Sequence, residues 1–361
     1  MRMGIIGLEQ SGKTTLFNAL TQGGGSGVPA SGKREAHLSI VKVPDARLDR
    51  LHELYPPAKK VPATIEYLDV AGLGKGSTQR KGFQEQFLAN LRNVDALLCV
   101  LRVFANDMVP HPEGSINPKR DLEIIESEFL LSDMAILENR IAKLEKEVRK
   151  VKDEKLKHEL TLLQRCNEFI ENEQPLRELN FTDEEEKMLR GFQFLTAKPI
   201  LLVLNIGEDD VNKEEQFLSE YAHLTGTKRK LVCLSAHIEM EIAQLPEDDK
   251  AVFQEELGIK EPALHKMIRH SYDLLGLMSY FTSGDDEVRA WTIKKGTRAQ
   301  IAAGEIHSDI ERGFIRAEIV PFEKLSELGS WSKCKDKGVL RLEGKDYIVK
   351  DGDVINFRFN V

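Results

Sequence analysis

Gly7-Leu-Glu-Gln-Ser-Gly-Lys-Thr14 matches the pattern G-x4-G-K-[ST] at every fixed position. The apolar run at residues 3–6 reads as a strand, and residues 13–20 read as a helix start. That is the strand–loop–helix context the motif requires. A glycine-turned loop aims successive main-chain N–H groups inward, where they hold phosphate oxygens at a helix N-terminus. Lys13 then reaches the outer phosphates as a catalytic cation, and the Thr14 hydroxyl holds magnesium. Glu9, Gln10, Ser11, Gly12, Lys13, Thr14 and Thr15 form the expected phosphate-binding set. A chance glycine-rich turn is the competing reading, and the agreement of flanks and spacing argues against it.

Composition narrows the classes. A chain of 361 residues is long enough for two or three domains. A formal net charge of −8 speaks against a wholly basic nucleic-acid binder, leaving room for a local basic patch. Cys99, Cys166, Cys233 and Cys334 lie far apart with no C-x-x-C pair, as expected of free buried thiols in a reducing cytosol. No apolar run approaches the roughly 20 residues that span a bilayer. The N-terminus enters a strand and phosphate loop directly, without a signal peptide. The expected setting is therefore the cytoplasm, with neither membrane nor DNA as a partner.

The pattern along the chain gives the fold class. Strands are expected at 3–6, 38–43, 64–70 and 95–103, separated by helices near 13–20, 45–54 and 82–92. This alternation implies an α/β, doubly wound, mostly parallel sheet. From residue 121 to about 173 the strand signal vanishes. Leu130, Met134, Leu137, Ile141, Leu144, Val148 and Val151 recur at spacings of 4, 3, 4, 3, 4 and 3, a coiled-coil-type seam. A charged break at 152–155 precedes Leu156, Leu160 and Leu163, giving two antiparallel helices as a protruding hairpin. Thr182-Asp-Glu-Glu185 reads as a capping box opening a helix to about Leu195.

The α/β pattern returns with strands at 200–204 and 231–234 and helices at 248–256 and 261–275, so the helical segment is an insertion. Beyond 277, strands at 288–293, 314–320, 339–342, 346–349 and 354–359 surround one helix at 297–303, with a tight hairpin turn at Asp351-Gly352. Strands around one helix suggest a small β-grasp module. The expected domains are 1–117 with 199–276 for nucleotide, 118–198 for the helical insertion, and 277–361 for the β-grasp module.

Two further motifs refine the chemistry. Asp69-Val-Ala-Gly72 ends a strand and fits D-x-x-G. In this class the aspartate orients magnesium, and the glycine N–H senses the γ-phosphate. Leu73 stands where many GTPases carry a water-positioning glutamine, so another group must handle the water. Asn205-Ile-Gly-Glu208 occupies the place of N-K-x-D, with Ile206 for the lysine and Glu208 for the aspartate. The longer glutamate misplaces the two-point clasp on guanine N1–H and the 2-amino group, which favours ATP over GTP. Ser235-Ala236 closes the next strand and presents main-chain N–H groups to the base.

Together these residues resemble the YchF, or Obg-like ATPase, family. Val43-Pro-Asp-Ala-Arg-Leu-Asp49, Asp69-Val-Ala-Gly-Leu73, Gln86-Phe-Leu-Ala-Asn-Leu-Arg92, Asn205-x-x-Glu208 and Ser235-Ala236 carry the resemblance through the first domain. Residues 303–318 and 351–361 carry it through the C-terminal TGS region. The resemblance implies an ATP hydrolase with an inserted helical hairpin, a TGS module and contact with the ribosome. It also makes Leu73 a family trait and His111, between Pro110 and Pro112, the candidate for handling the attacking water. Imidazole chemistry suits that task.

The chain departs from the family at Glu9 and Gln10, where Pro-Asn is usual, and in the first switch region. The magnesium-capping threonine falls near Lys33, in a stretch whose glycine-rich part, residues 23–32, is expected to be mobile. Ser31 or Ser39 could substitute, and Lys33 or Arg34 could act as an internal cation. The expected cofactors are Mg2+ and bound ATP or GTP; a monomer is expected.

For partners, residues 140–157 hold eight basic and four acidic side chains, a possible contact for ribosomal RNA. Lys294, Lys295, Arg298, Arg312 and Arg316 could form a second patch, while Trp291 and Phe314 read as core. The alternative to an ATPase is a nucleotide-binding ribosomal scaffold with little or no hydrolysis. A metabolic kinase would need a lid or acceptor-base motif, and none is evident.

Overall fold

The computed structural model describes residues 1–22, 26–28, 37–56, 59–69, 85–151, 153–259, 261–284 and 286–360. The chain divides into two compact units, Met1–Ile40 with Glu66–Met267 and Val41–Ile65 with Ile268–Val361.

The sheet carrying the phosphate loop is built from β1 (Arg2–Ile6), β2 (Ser26–Val28), β3 (His37–Lys42), β5 (Thr64–Asp69), β6 (Ala96–Arg102), β7 (Ile200–Asn205) and β8 (Arg229–Leu234). The strand between β3 and β5 in the chain, β4 (Lys59–Val61), belongs elsewhere. The spatial order is β2-β3-β5-β1-β6-β7-β8. β1 pairs in parallel with both β5 and β6, and β6, β7 and β8 continue in parallel. β6 and β7 are buried at every residue, which explains their unbroken apolar sequence: both faces are covered. The chain builds outward from β1 to one side through β3 and β5, then to the other through β6. The carboxyl end of β1 is thus the topological switch point, where open α/β sheets bind ligands.

The expected strands recur within a residue or two. One difference is β2. Three residues of the glycine-rich stretch expected to be mobile pair antiparallel with β3, Ser26 opposite Ile40.

Helices α1 (Lys13–Gln22), α2 (Ala46–Leu54) and α3 (Glu85–Arg92) precede the insertion. There α4 (Pro118–Lys150) runs for 33 residues, started by the Asn117 side chain accepting from Arg120 N–H and by Pro118 in the first turn. α5 (Glu154–Glu171) returns, capped by Asp153. Leu130, Leu137 and Leu144 of α4 meet Leu162, Leu163, Cys166 and Ile170 of α5 in one core cluster, so the heptad reading holds; Val151 at its end is exposed. The expected capping box is present, with Thr182 N–H donating to Glu185 at 2.9 Å and Glu185 N–H to Thr182 at 3.3 Å. Its helix, α6 (Asp183–Leu189), stops short of Leu195, since a 3-10 turn follows and Gln193 takes a positive φ of 52°.

Buried polar groups fasten the insertion to the sheet domain. Asp133 of α4 is fully buried and accepts from Leu195 N–H, Thr196 N–H, the Thr196 hydroxyl and Arg92. Arg177, also buried, meets Glu126 at 2.6 Å and the Lys198 carbonyl at 3.0 Å. α7 (Glu214–Glu220), α8 (Ala236–Gln244), α9 (Glu247–Glu256) and α10 (Ala263–Leu274) complete the helices before the second sheet.

That sheet contains β9 (Leu277–Ser283), β10 (Glu287–Lys294), β11 (Phe314–Pro321), β12 (Arg341–Glu343) and β13 (Asp353–Phe359), in the order β12-β11-β13-β9-β10-β4. β9 and β10 form an antiparallel hairpin, and β13 lies parallel to β9. α11 (Ala299–Ile306) packs on one face through Ala299, Ala302 and Ala303, and Tyr280 hydroxyl donates to the Ala302 carbonyl at 2.8 Å. This is the expected β-grasp plan, and Trp291 and Phe314 pack against its core. Shorter helices α12 (Ser308–Arg312), α13 (Phe322–Leu328) and α14 (Trp331–Asp336) fill the connections.

Residues 346–349, expected as a strand, form only an isolated bridge between Ile348 and Arg298. Asp351-Gly352 therefore turns the chain into β13 without joining a hairpin; Gly352 sits at φ 85°. Residues 41–65 group with this C-terminal unit because β4 pairs in parallel with β10 and Arg47 reaches Asp351 at 2.8 Å. The latter contact gives Val43-Pro-Asp-Ala-Arg47 its structural meaning. Asp45 and Asp351 grip the Arg47 guanidinium together, and that guanidinium lies 5.1 Å from the centre of the Phe281 ring.

Candidate nucleotide-binding site

The loop after β1 is shaped by backbone that side chains cannot follow. Gly7 has φ 150°, and a Cβ there would strike the Val100 carbonyl and the Ser11 hydroxyl. Gly12 has φ 95°, and a Cβ there would collide with the Asn205 side-chain amide. Gln10 also holds a positive φ, 61°, a conformation that costs a non-glycine residue about 1–2 kcal/mol. Glu9, Gln10 and Thr14 are exposed, Gly12, Lys13 and Thr15 half-buried. Lys13 Nζ donates to the Leu8 carbonyl at 2.6 Å, folding the ammonium over the loop. The Ser11 hydroxyl is buried with no hydrogen-bond partner.

Asp69 ends β5, buried, and lies opposite Ile5 in the parallel register with β1. Thr14 opens α1 beyond the same strand. A hydroxyl and a carboxylate are hard oxygen donors, and few protein ligands suit magnesium, which keeps waters and phosphate oxygens. The donor set and the glycine cradle both fit the metal and a polyphosphate.

Asn205, at the end of β7, joins the loop to the segments that the sequence reading assigns to the base. Its Nδ2 donates to the Ser11 carbonyl at 2.9 Å, and its Oδ1 accepts Ala236 N–H at 2.9 Å. Its own carbonyl accepts the N–H groups of Val103 and Phe104 at 2.9 and 3.2 Å. Three loops therefore meet on one asparagine that is 4% exposed.

This seam revises two sequence expectations. The Ala236 N–H faces Asn205 instead of opening toward a base, while Ser235 caps α8 through Ile238 N–H. The Ile206 side chain is buried in the core, leaving only its backbone for recognition. Glu208, by contrast, is exposed, and one oxygen sits 3.0 Å from His237 Nδ1. Glu241 approaches that nitrogen at 3.7 Å.

His111 lies in the loop after β6, its side chain only 4% exposed. Its Nδ1 accepts Glu113 N–H at 3.1 Å, so Nε2 carries the proton and donates to Asp121 at 2.9 Å. Asp121 also accepts from Arg120 at 2.7 Å. Both imidazole nitrogens are thus engaged. The same loop is held from below by Arg102, which donates to the carbonyls of Phe104 and Val109 at 3.1 and 2.7 Å. Burial pushes the Arg102 guanidinium below its ordinary value.

Gly72, Leu73, Ser31, Lys33 and Arg34 lie outside the described residues. Ser39 is described; its hydroxyl is buried in β3 without a partner. The four cysteines are free and buried, and burial pushes the Cys166 and Cys233 thiols up to about 12. On the C-terminal patch, Lys295, Arg298 and Arg312 each face an aspartate, which offsets much of its charge. Among the described residues no helix is long and apolar enough to cross a membrane.

Sequence reasoning missed Asp121, Arg102 and His237. Only His237 carried any signal, its place directly after Ser235-Ala236.

Comparison with known proteins identifies relatives of this chain. Residues 2–140 match a family described as 50S ribosome-binding GTPase, and residues 277–360 match YchF-GTPase_C, described as a protein of unknown function. The chain is 45% identical over 364 residues to the ribosome-binding ATPase YchF of Bacillus subtilis, covering 99% of each protein. It is 41% identical over 365 residues to the protein of the same name from Escherichia coli O157:H7, covering 100% of this chain and 99% of that one. The structure of the Schizosaccharomyces pombe YchF GTPase superposes with a TM-score of 0.88 at 31% identity, over 99% of this chain and 97% of that one.

Proposed function

The chain belongs to the YchF family, and on that premise we propose that it is a magnesium-dependent ATPase that works on the ribosome in the cytoplasm. The names of the relatives divide between ATPase and GTPase. The observation that carries the reading is the seam at Asn205, which ties the phosphate loop to the segment ending in Glu208. It supports one pocket for a polyphosphate and a purine, and Glu208 in place of aspartate favours adenine.

Within that pocket the loop amides between Gly7 and Thr14 hold the phosphates. Lys13 leaves the Leu8 carbonyl for the outer phosphates, where its charge opposes the negative charge developing during transfer. The Thr14 hydroxyl would hold a magnesium ion and Asp69 would orient it, and the ion would supply further charge neutralisation. Ser235, Ala236 and Ile206 act by keeping Asn205 and the base segment in place. Gly72 takes the role of γ-phosphate sensor.

His111 positions water only after Nε2 gives up Asp121 or Nδ1 gives up the Glu113 amide. The second reading, a ribosomal scaffold with little hydrolysis, draws on this locked imidazole. Phosphate release from ATP and GTP, with and without ribosomes, separates the two. An ATPase gives turnover with ATP that falls at least a hundredfold in Lys13→Ala and at least tenfold in His111→Ala. A scaffold gives the same background rate in all three proteins.

A further inference from the structure

We infer that His237 sets base selectivity by occupying one oxygen of Glu208. The inference rests on reading Asn205-x-x-Glu208 as the base-facing segment. His237 Nδ1 lies 3.0 Å from Glu208 Oε1, an ion-pair contact that the imidazole makes when it is protonated. His237 is the second residue of α8, directly after Ala236, whose N–H is fixed by Asn205. Glu208 opens the 3-10 turn three residues past the same asparagine. Asn205 thus anchors the backbones on both sides of the pair. Glu241, one turn further along α8, approaches the same nitrogen at the longer distance of 3.7 Å. Asp210 is taken by Lys213 at 2.6 Å.

Guanine presents two donors on one edge, N1–H and the 2-amino group, and two carboxylate oxygens meet them in parallel. With Oε1 facing His237, Glu208 keeps one oxygen clear of that contact for a ligand. Guanine then loses half of its clasp. Adenine, with no donor at those two positions, loses nothing. His237 therefore acts against guanine through Glu208, as a specificity-determining residue that touches neither phosphate nor metal.

The two side chains are 51% and 56% exposed, so their pairing contributes little to folding and the substitutions leave the fold intact. An exposed pair of this kind shifts an affinity ratio by up to about fivefold. The test is equilibrium titration of the full chain with fluorescent ATP and GTP analogues in magnesium, using wild type, His237→Ala, Glu208→Ala and the double variant. The expected result is a roughly three- to fivefold tightening of GTP in His237→Ala, with ATP changed less than twofold. In the Glu208→Ala background, His237→Ala then changes neither affinity. An unchanged ATP-to-GTP ratio in His237→Ala overturns the inference, as does an equal shift with and without Glu208. A wild type that prefers GTP defeats the ATPase reading alone, because the role of His237 is read from the change in ratio.

Discussion

The Asn205 side-chain amide and the Ser11 carbonyl, 194 positions apart in sequence, meet at 2.9 Å and make the phosphate loop and the base segment one structure. The glycine between the phosphate loop and that amide is required by the contact itself. A Cβ on Gly12 would occupy the space of the Asn205 amide.

Asn205→Ala strands the Ser11 carbonyl and the Ala236 N–H in a buried setting. Each unsatisfied group costs about 1–3 kcal/mol. The expected outcome is a loss of nucleotide affinity of tenfold or more together with a lowered melting temperature. Isothermal titration and thermal denaturation on the same sample check it. Unchanged affinity would show that the seam does not shape the site.

Glu126→Ala leaves the buried Arg177 guanidinium without its carboxylate and removes the partner that Arg229 meets at 3.4 Å. Removing one member of a buried pair costs about 3–5 kcal/mol. Urea denaturation should show that loss, with a smaller one for Glu126→Gln, which keeps an acceptor. A change below about 1 kcal/mol would place the pair among surface ion pairs.

Burial lowers the Lys198 ammonium from 10.5 to about 8, while its Nζ donates to the carbonyls of Arg92 and Val94. The folded state therefore binds fewer protons than the unfolded chain between pH 8 and 10.5, and stability from this group rises with pH across that window. Below pH 8 the burial penalty is complete and flat. Compared with Lys198→Met, wild type should gain on the order of 2 kcal/mol between pH 8 and 10.5. Chemical denaturation of both proteins at several pH values checks this, and parallel curves would contradict it.

Much of the fold was legible because its signals are local. A loop of fixed glycine spacing, two fully buried parallel strands, a heptad seam and a capping box each declare themselves within a few turns of chain. β4, with three residues, depends on pairing with β10 more than 200 positions away, and no periodicity announces it. Residues 346–349 have strand composition, yet only Ile348 finds a bridge partner. In the site, Lys13, Thr14, Asp69 and Asn205 follow from spacing. What Asn205 joins does not, because hydrogen bonds to main-chain atoms leave no residue preference at the partner position. The locked state of His111 was hidden for a related reason: Asp121 reads as an ordinary first-turn acid of a helix.

The most direct measurement is a titration of the purified full chain with ATP in magnesium, repeated with Lys13→Ala and Gly12→Ala. A nucleotide pocket at residues 7–14 predicts saturable binding at one site per chain in wild type, weakened at least tenfold in both variants. Absence of saturable binding in wild type, or equal binding in all three proteins, would contradict it.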